Sequence, residues 1–263
     1  MSFHIRANTA ALTQAIDAFN AQYHHDYFAV RRHALAYLAE PLSPQSAQTL
    51  VPPLLAALTS WGAGKRVAPS CRAADAAVQA LCDPALHASL RRLADSFPYL
   101  GVVDGKRCLL QGAPFATIQE FDRHLIAALG MLADALLVGN TNVTYPMKAL
   151  LLITGLMPAY DSQVKGGLAL AGVTGIDKTS YLLPRAECSD ASKICVLPFH
   201  IAHCARHARA TFDTAIANSR YPMLKGQYGR LFDILLFVQN GRTPKTALLG
   251  FSTDTPARHW YLI

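Results

Sequence analysis

Acidic residues are scarce in this chain: 17 Asp and Glu stand against 24 Lys and Arg, giving a formal net charge of +7 with ten histidines besides. That imbalance favours partners carrying phosphate. Cysteine is sparse too. Cys71, Cys82, Cys108, Cys188, Cys195 and Cys204 are spread over 263 residues, too thinly for a disulfide framework, and they read as free thiols, mostly buried. No apolar run reaches the roughly 18 uninterrupted residues of a membrane span. Leu125 to Gly139 is broken by Asp134, and Ala149 to Tyr160 by Gly155 and Pro158. The opening Met1-Ser2-Phe3-His4-Ile5-Arg6 has none of the features of a secretory signal. The expectation is a cytoplasmic protein with no membrane partner. Charged residues make up only 16% against 52% hydrophobic, which excludes a disordered chain and leaves a globular one large enough to bury its own core.

What the chain does have is helical spacing. Ala and Leu are abundant and apolar residues recur at three- and four-residue steps. Helices are predicted over Thr9 to Asn20, Asp26 to Leu38, Ala47 to Ser60, Ser70 to Leu81, Asp83 to Ser96 and Thr117 to Val138. In the second half they are predicted over Tyr145 to Leu156, Asp161 to Gly172, Pro198 to Asn218 and Tyr221 to Gln239. Pro41, Ser43 and Pro44 read as a turn, and Asp83 followed by Pro84 as a helix start. Residues 173–197 read as irregular, and Leu248 to Ile263 as a short tail. The fold class is all-α, with two helical lobes around a cleft and a minor β hairpin near residues 100–110 at Asp104-Gly105. The lobes are expected over 1–140 and 141–263, together forming one globular unit.

The stretch that carries chemistry is Pro146-Met147-Lys148-Ala149-Leu150-Leu151-Leu152-Ile153-Thr154-Gly155-Leu156-Met157-Pro158-Ala159-Tyr160-Asp161-Ser162-Gln163-Val164. A lysine sits in the first turn of an apolar helix, and after a proline turn an aspartate caps the next helix. This order resembles the core of the helix-hairpin-helix DNA glycosylases, in particular their divergent 8-oxoguanine-glycosylase-like members. The turn preceding the lysine helix in that family is represented here by Val138-Gly139-Asn140-Thr141-Asn142-Val143-Thr144.

The resemblance implies a DNA N-glycosylase that flips a damaged or modified base out of DNA and cuts its glycosidic bond, in repair or in defence against modified foreign DNA. Asp161 would stabilise the oxocarbenium-like sugar or deprotonate the attacking nucleophile. Lys148, kept partly neutral by an apolar pocket, would attack the sugar carbon and form a Schiff base, or else would only contact DNA and support Asp161. Tyr145 and Tyr160 flank the pair as candidates for a base pocket. Arg31, Arg32, Lys165, Lys178, Arg206 and Arg209 are candidates for a phosphate-holding rim. No cofactor is expected.

Each residue also has an ordinary role: Asp is among the best helix N-caps and lysine on a helix is usually solvated. A non-catalytic DNA- or RNA-binding protein and a helical protein-interaction module are therefore the rival readings. His200, His203, Cys204 and His207 fall at i, i+3, i+4 and i+7 on one helix, with Cys188 and Cys195 upstream, so a metal site is conceivable. A basic helix with Cys204 turned inward is the plainer reading, as is a surface position for His24-His25. Trp61 and Trp260 read as packing anchors. Gly166-Gly167 and Gly172 to Gly175 follow no strand, so no dinucleotide fingerprint is expected.

Overall fold

The computed structural model describes residues 2–140, 142–176, 191–241 and 247–252. It is mostly helical, as expected, and among the described residues strands pair only as three two-stranded antiparallel sheets. No described helix is long and apolar enough to cross a membrane. Lys178, Cys188 and Trp260 lie outside the described residues.

The chain opens with β1 (Ser2–Ile5), α1 (Thr9–Ala18) and α2 (Ala21–Leu38). α2 begins before the predicted Asp26, because Asn20 caps it: its side-chain oxygen accepts from Gln22 N at 2.9 Å and Tyr23 N at 3.3 Å. α3 (Pro44–Ser60) likewise starts ahead of the predicted Ala47. Pro44 needs no amide hydrogen in a first turn, so it opens the helix instead of making a separate turn.

Ser70 does not start a helix. It forms β2 (Ser70–Cys71), and α4 (Ala74–Leu81) and α5 (Pro84–Ser96) follow, the latter capped by Asp83 as expected. β3 (Leu100–Val103) and β4 (Lys106–Leu109) make the predicted hairpin, with Asp104 and Gly105 at φ 50° and 75°. Those positive φ values are what a two-residue hairpin turn requires.

α6 (Ile118–Leu136) starts at a reciprocal cap: Thr117 Oγ1 accepts from Glu120 N, and Glu120 Oε2 accepts from Ala116 N. It stops two residues short of the predicted end, where β5 (Leu137–Val138) pairs with β2. α7 (Thr144–Thr154) and α8 (Ser162–Ala171) follow, and α9 (Ala191–Cys195) falls within the stretch read as irregular. The predicted helix over Pro198 to Asn218 is two, α10 (Leu197–His207) and α11 (Arg209–Ala217), divided at Ala208. α12 (Tyr228–Gly241) begins later than predicted, since Gly226 at φ 78° interrupts the chain after a short 3-10 turn over Pro222–Leu224. β6 (Leu249–Ser252) closes the described chain by pairing with β1.

α7 is the innermost helix: every residue from Pro146 to Thr154 is buried, and α2, α3, α5 and α6 surround it. A helix apolar on all sides can sit only there. α12 packs on α8, α1 and α10. One continuous core runs from Phe3 to Phe251. Because β1 pairs with β6 and α1 lies against α11 and α12, residues 2–18 pack with the C-terminal helices, across the boundary expected between residues 140 and 141.

Candidate functional site

The site begins where α7 ends. Gly155 takes the left-handed conformation, φ 70°, that closes a helix, and the chain doubles back through Pro158 to α8. Thr144 Oγ1, at the start of α7, donates to Tyr160 O at 3.0 Å and ties this return to the first turn of α7. Lys148 sits one turn further along, so the tie sets Asp161 beside it. Asp161 Oδ1 accepts from the amides of Gln163 and Val164, each at 3.0 Å, as the predicted N-cap. Its other oxygen, Oδ2, lies 3.9 Å from Lys148 Nζ.

Lys148 is only 7% exposed. Its ammonium donates to Trp61 O at 2.7 Å and sits 4.8 Å from the centre of the Tyr145 ring. Burial draws its pKa below the ordinary lysine value, and the negative charges of Asp161 and then Asp233 restore part of the loss. Burial also raises the Tyr145 phenol, with the Asp161 charge adding to it.

Lys148 and Asp161 line a cavity of about 280 Å³ together with Tyr23, Trp61, Arg230, Asp233 and other aromatic residues. Arg230 is 1% exposed. Its guanidinium donates to Asp233 Oδ2 at 2.5 Å and to Tyr23 O at 2.9 Å, and its central carbon is 4.9 to 5.0 Å from the rings of Phe19, Tyr27 and Trp61. Arg230 Nε is buried and meets no hydrogen-bond partner among the described residues. Asp233 Oδ1 accepts from Ala159 N at 3.0 Å. Burial pushes the Asp233 carboxyl up to about 6, against the opposing pull of Arg230. Two glycines allow the helices to close around this pair. A Cβ at Gly229 would stand 2.1 Å from Gly155 O, and one at Gly167 would stand 2.0 Å from Leu236 O.

The rest of the predicted site is scattered. Tyr160 is fully buried and donates to Ile176 O at 2.5 Å, so it lines a different cavity, shared with Lys165. Arg31 is half-buried and holds structure together: it donates to Ile153 O and, at 3.2 Å, to Gln227 Oε1. Arg32 is exposed and lines an open apolar recess with His24, Phe28 and Tyr221. His24 is not at the surface as expected. It stacks on Tyr221 with centres 3.7 Å apart, and burial, with Arg230 assisting, draws its pKa to about 4. Its neighbour His25 has a side chain 77% exposed. Arg206 donates to Pro98 O and Leu100 O, at 3.1 and 2.8 Å, and Arg209 lies 3.6 Å from Asp213; neither lines the Lys148 cavity.

Among the described residues no three His, Cys, Asp or Glu side chains converge as a metal would need. On α10, His200 and Cys204 are buried while His207 is exposed. Trp61 does anchor packing, its Nε1 donating to Asp26 Oδ2 at 3.0 Å, but it also walls the cavity.

Sequence reasoning missed Arg230, Asp233, Phe19, Tyr23 and Phe237. A signal for two of them was present, since Arg230 and Asp233 stand three apart among Leu231, Phe232, Ile234, Leu235 and Leu236. Opposite charges at that spacing inside an apolar helix mark a buried pair. Comparison of the chain with protein-family models, with curated proteins and with solved structures finds no match in any of the three.

Proposed function

We propose that this protein is a DNA N-glycosylase that receives a flipped base in the Lys148–Asp161 cavity and cuts its glycosidic bond. One observation carries the reading: a buried lysine of lowered basicity lies 3.9 Å from a carboxylate, in the wall of an aromatic-lined cavity of about 280 Å³. Burial makes this lysine give up its proton more readily than an ordinary one, and the free amine is a nucleophile toward the sugar C1′. Its attack expels the base with the bonding electrons; the amine's two protons end on the departing base and on the ring oxygen O4′, whose release from C1′ opens the sugar and leaves an imine between Nζ and C1′. Asp161 faces the positive charge that builds on the sugar as the bond lengthens, and it takes the proton released by the attacking amine. Aromatic walls suit a base taken out of its stack. The net charge of +7 suits phosphate contact.

A panel of duplexes carrying damaged or modified bases tests this, with abasic sites as the readout. Asp161→Asn keeps a good helix cap and is expected to lower excision by about a hundredfold or more. Absence of abasic product across the panel, or full activity in Asp161→Asn, defeats the proposal. A second reading is favoured by the bonds that already occupy Lys148 Nζ and Asp161 Oδ1. It is a non-catalytic nucleic-acid-binding protein, whose signature is salt-sensitive binding that Asp161→Asn leaves unchanged.

A further inference from the structure

Arg206 and Arg209, predicted as part of a rim around Lys148, stand instead at a separate cavity on the other side of α12. Arg230 and Asp233 face the Lys148 cavity, whereas Tyr228, two residues before Arg230 and so about 200° around the helix, faces away from it. There, Arg206, Arg209, Lys225, Gly226, Tyr228 and Phe97 line a space of about 360 Å³. We infer that this cavity binds a nucleoside phosphate, with the phosphate between Lys225 and Arg209 and the base against Phe97 and Tyr228.

Charge is the first argument. Three cations converge, and the carboxylate beside them, Asp213, is shared between Arg209 Nε at 3.6 Å and the Tyr228 hydroxyl at 3.0 Å. Lys225 makes no side-chain hydrogen bond or ion pair with a described residue. Like charges gathered around one cavity repel one another, and an anion set among them removes that repulsion. Arg206 is already oriented, because one of its terminal nitrogens is held by both Pro98 O and Leu100 O. The remaining guanidinium hydrogens need not lose that freedom again when a phosphate arrives. The first turn of α12, beginning at Tyr228, adds the positive end of its dipole on the same side.

Shape is the second argument. Phe97 and Tyr228 lie nearly parallel, 15° apart with centres separated by 6.3 Å, and both line the cavity, an aromatic wall of the kind that sequence-tolerant base binding uses. Burial, with the hydrogen bond to Asp213, pushes the Tyr228 phenol up to about 12, so the ring stays neutral beside a phosphate. Nothing stands within 4 Å of where a Cβ on Gly226 would be, which leaves the mouth next to Lys225 open. A free mononucleotide and a nucleotide unit within a strand share this chemistry.

Titration of the full chain by calorimetry distinguishes them, using AMP, adenosine, inorganic phosphate and a short single-stranded oligonucleotide as probes. Saturable AMP binding that weakens about tenfold in Arg209→Ala/Lys225→Ala supports a free nucleotide. Oligonucleotide binding with the same sensitivity, in the absence of AMP binding, supports a unit within a strand. Both variant side chains are exposed, so loss of the fold is not expected, and circular dichroism checks it. Inorganic phosphate binding as tightly as AMP overturns the inference, as does binding indifferent to the double variant or no binding by any probe. AMP binding in Asp161→Asn at wild-type strength is expected, so this inference stands or falls apart from the glycosylase reading.

Discussion

Lys148 Nζ lies 3.9 Å from Asp161 Oδ2 while donating a shorter bond, 2.7 Å, to the carbonyl of Trp61. The lysine is thus held by a neutral acceptor and only faced by the carboxylate. Burial dominates its proton affinity, and Asp161 offsets part of that effect.

The first prediction concerns that balance. On DNA carrying a preformed abasic site, borohydride trapping of a Lys148 adduct is expected to rise with pH, with its midpoint below 10.5, the value of an ordinary lysine. In Asp161→Asn the midpoint is expected to fall further, since a negative charge that favours the ammonium is gone. A midpoint at or above 10.5, or a rise in Asp161→Asn, refutes this assignment of causes.

Asp233 titrates in the other direction. Its folded pKa is about 6, above the ordinary 3.8, so the folded chain binds the proton more tightly than the unfolded one. Stability from this group is complete below about pH 4 and is lost as pH rises to about 6. The unfolding free energy of the wild type minus that of Asp233→Asn should therefore fall through this window and be flat outside it. Chemical denaturation at a series of pH values measures the difference.

Adjacent glycines on α8 should respond unequally to alanine. A Cβ at Gly167 meets the backbone carbonyl of Leu236 at 2.0 Å, which cannot move without parting α8 from α12. A Cβ at Gly166 meets only the Asn240 side chain, which can rotate away. Thermal unfolding should show Gly167→Ala losing about 3 kcal/mol or more and Gly166→Ala distinctly less. Equal losses would contradict the close crossing.

Arg31 and Arg32 are neighbours in sequence with different work. Arg31 holds the carbonyl of Ile153 and the side chain of Gln227, whereas Arg32 is exposed. Arg31→Ala is expected to destabilise the fold by about 1 to 3 kcal/mol, and Arg32→Ala to leave stability within about 0.5 kcal/mol. Denaturant titration of both variants decides it.

Much of the fold was legible without coordinates because its signals are local. Asp83, Thr117 and Asp161 each cap the helix they were expected to start, since a side-chain oxygen reaches amides only two or three residues away. Asp104-Gly105 turns a hairpin because the requirement for positive φ is set within the turn itself. Where local signals compete, the reading failed. Asn20 looked like the end of one helix and proved to cap the next, and Ala208 divides α10 from α11 with neither glycine nor proline to announce it.

The candidate site divides along the same line. By itself the sequence determined a helical chain of positive charge, with Lys148 and Asp161 opening two helices joined by a short proline turn, because these are matters of composition and near-neighbour geometry. Only the tertiary structure decided what surrounds them. Phe19, Tyr23, Trp61, Arg230, Asp233 and Phe237 reach one cavity from the end of α1, from α2, from the end of α3 and from α12, and no spacing in the sequence ties those positions together. Packing also parted the predicted cations, turning Arg31 inward and placing Arg206 and Arg209 beyond α12. Local rules act over a few residues of chain, whereas burial, and with it the basicity of Lys148 and Asp233, depends on atoms far apart in sequence that the fold brings into contact.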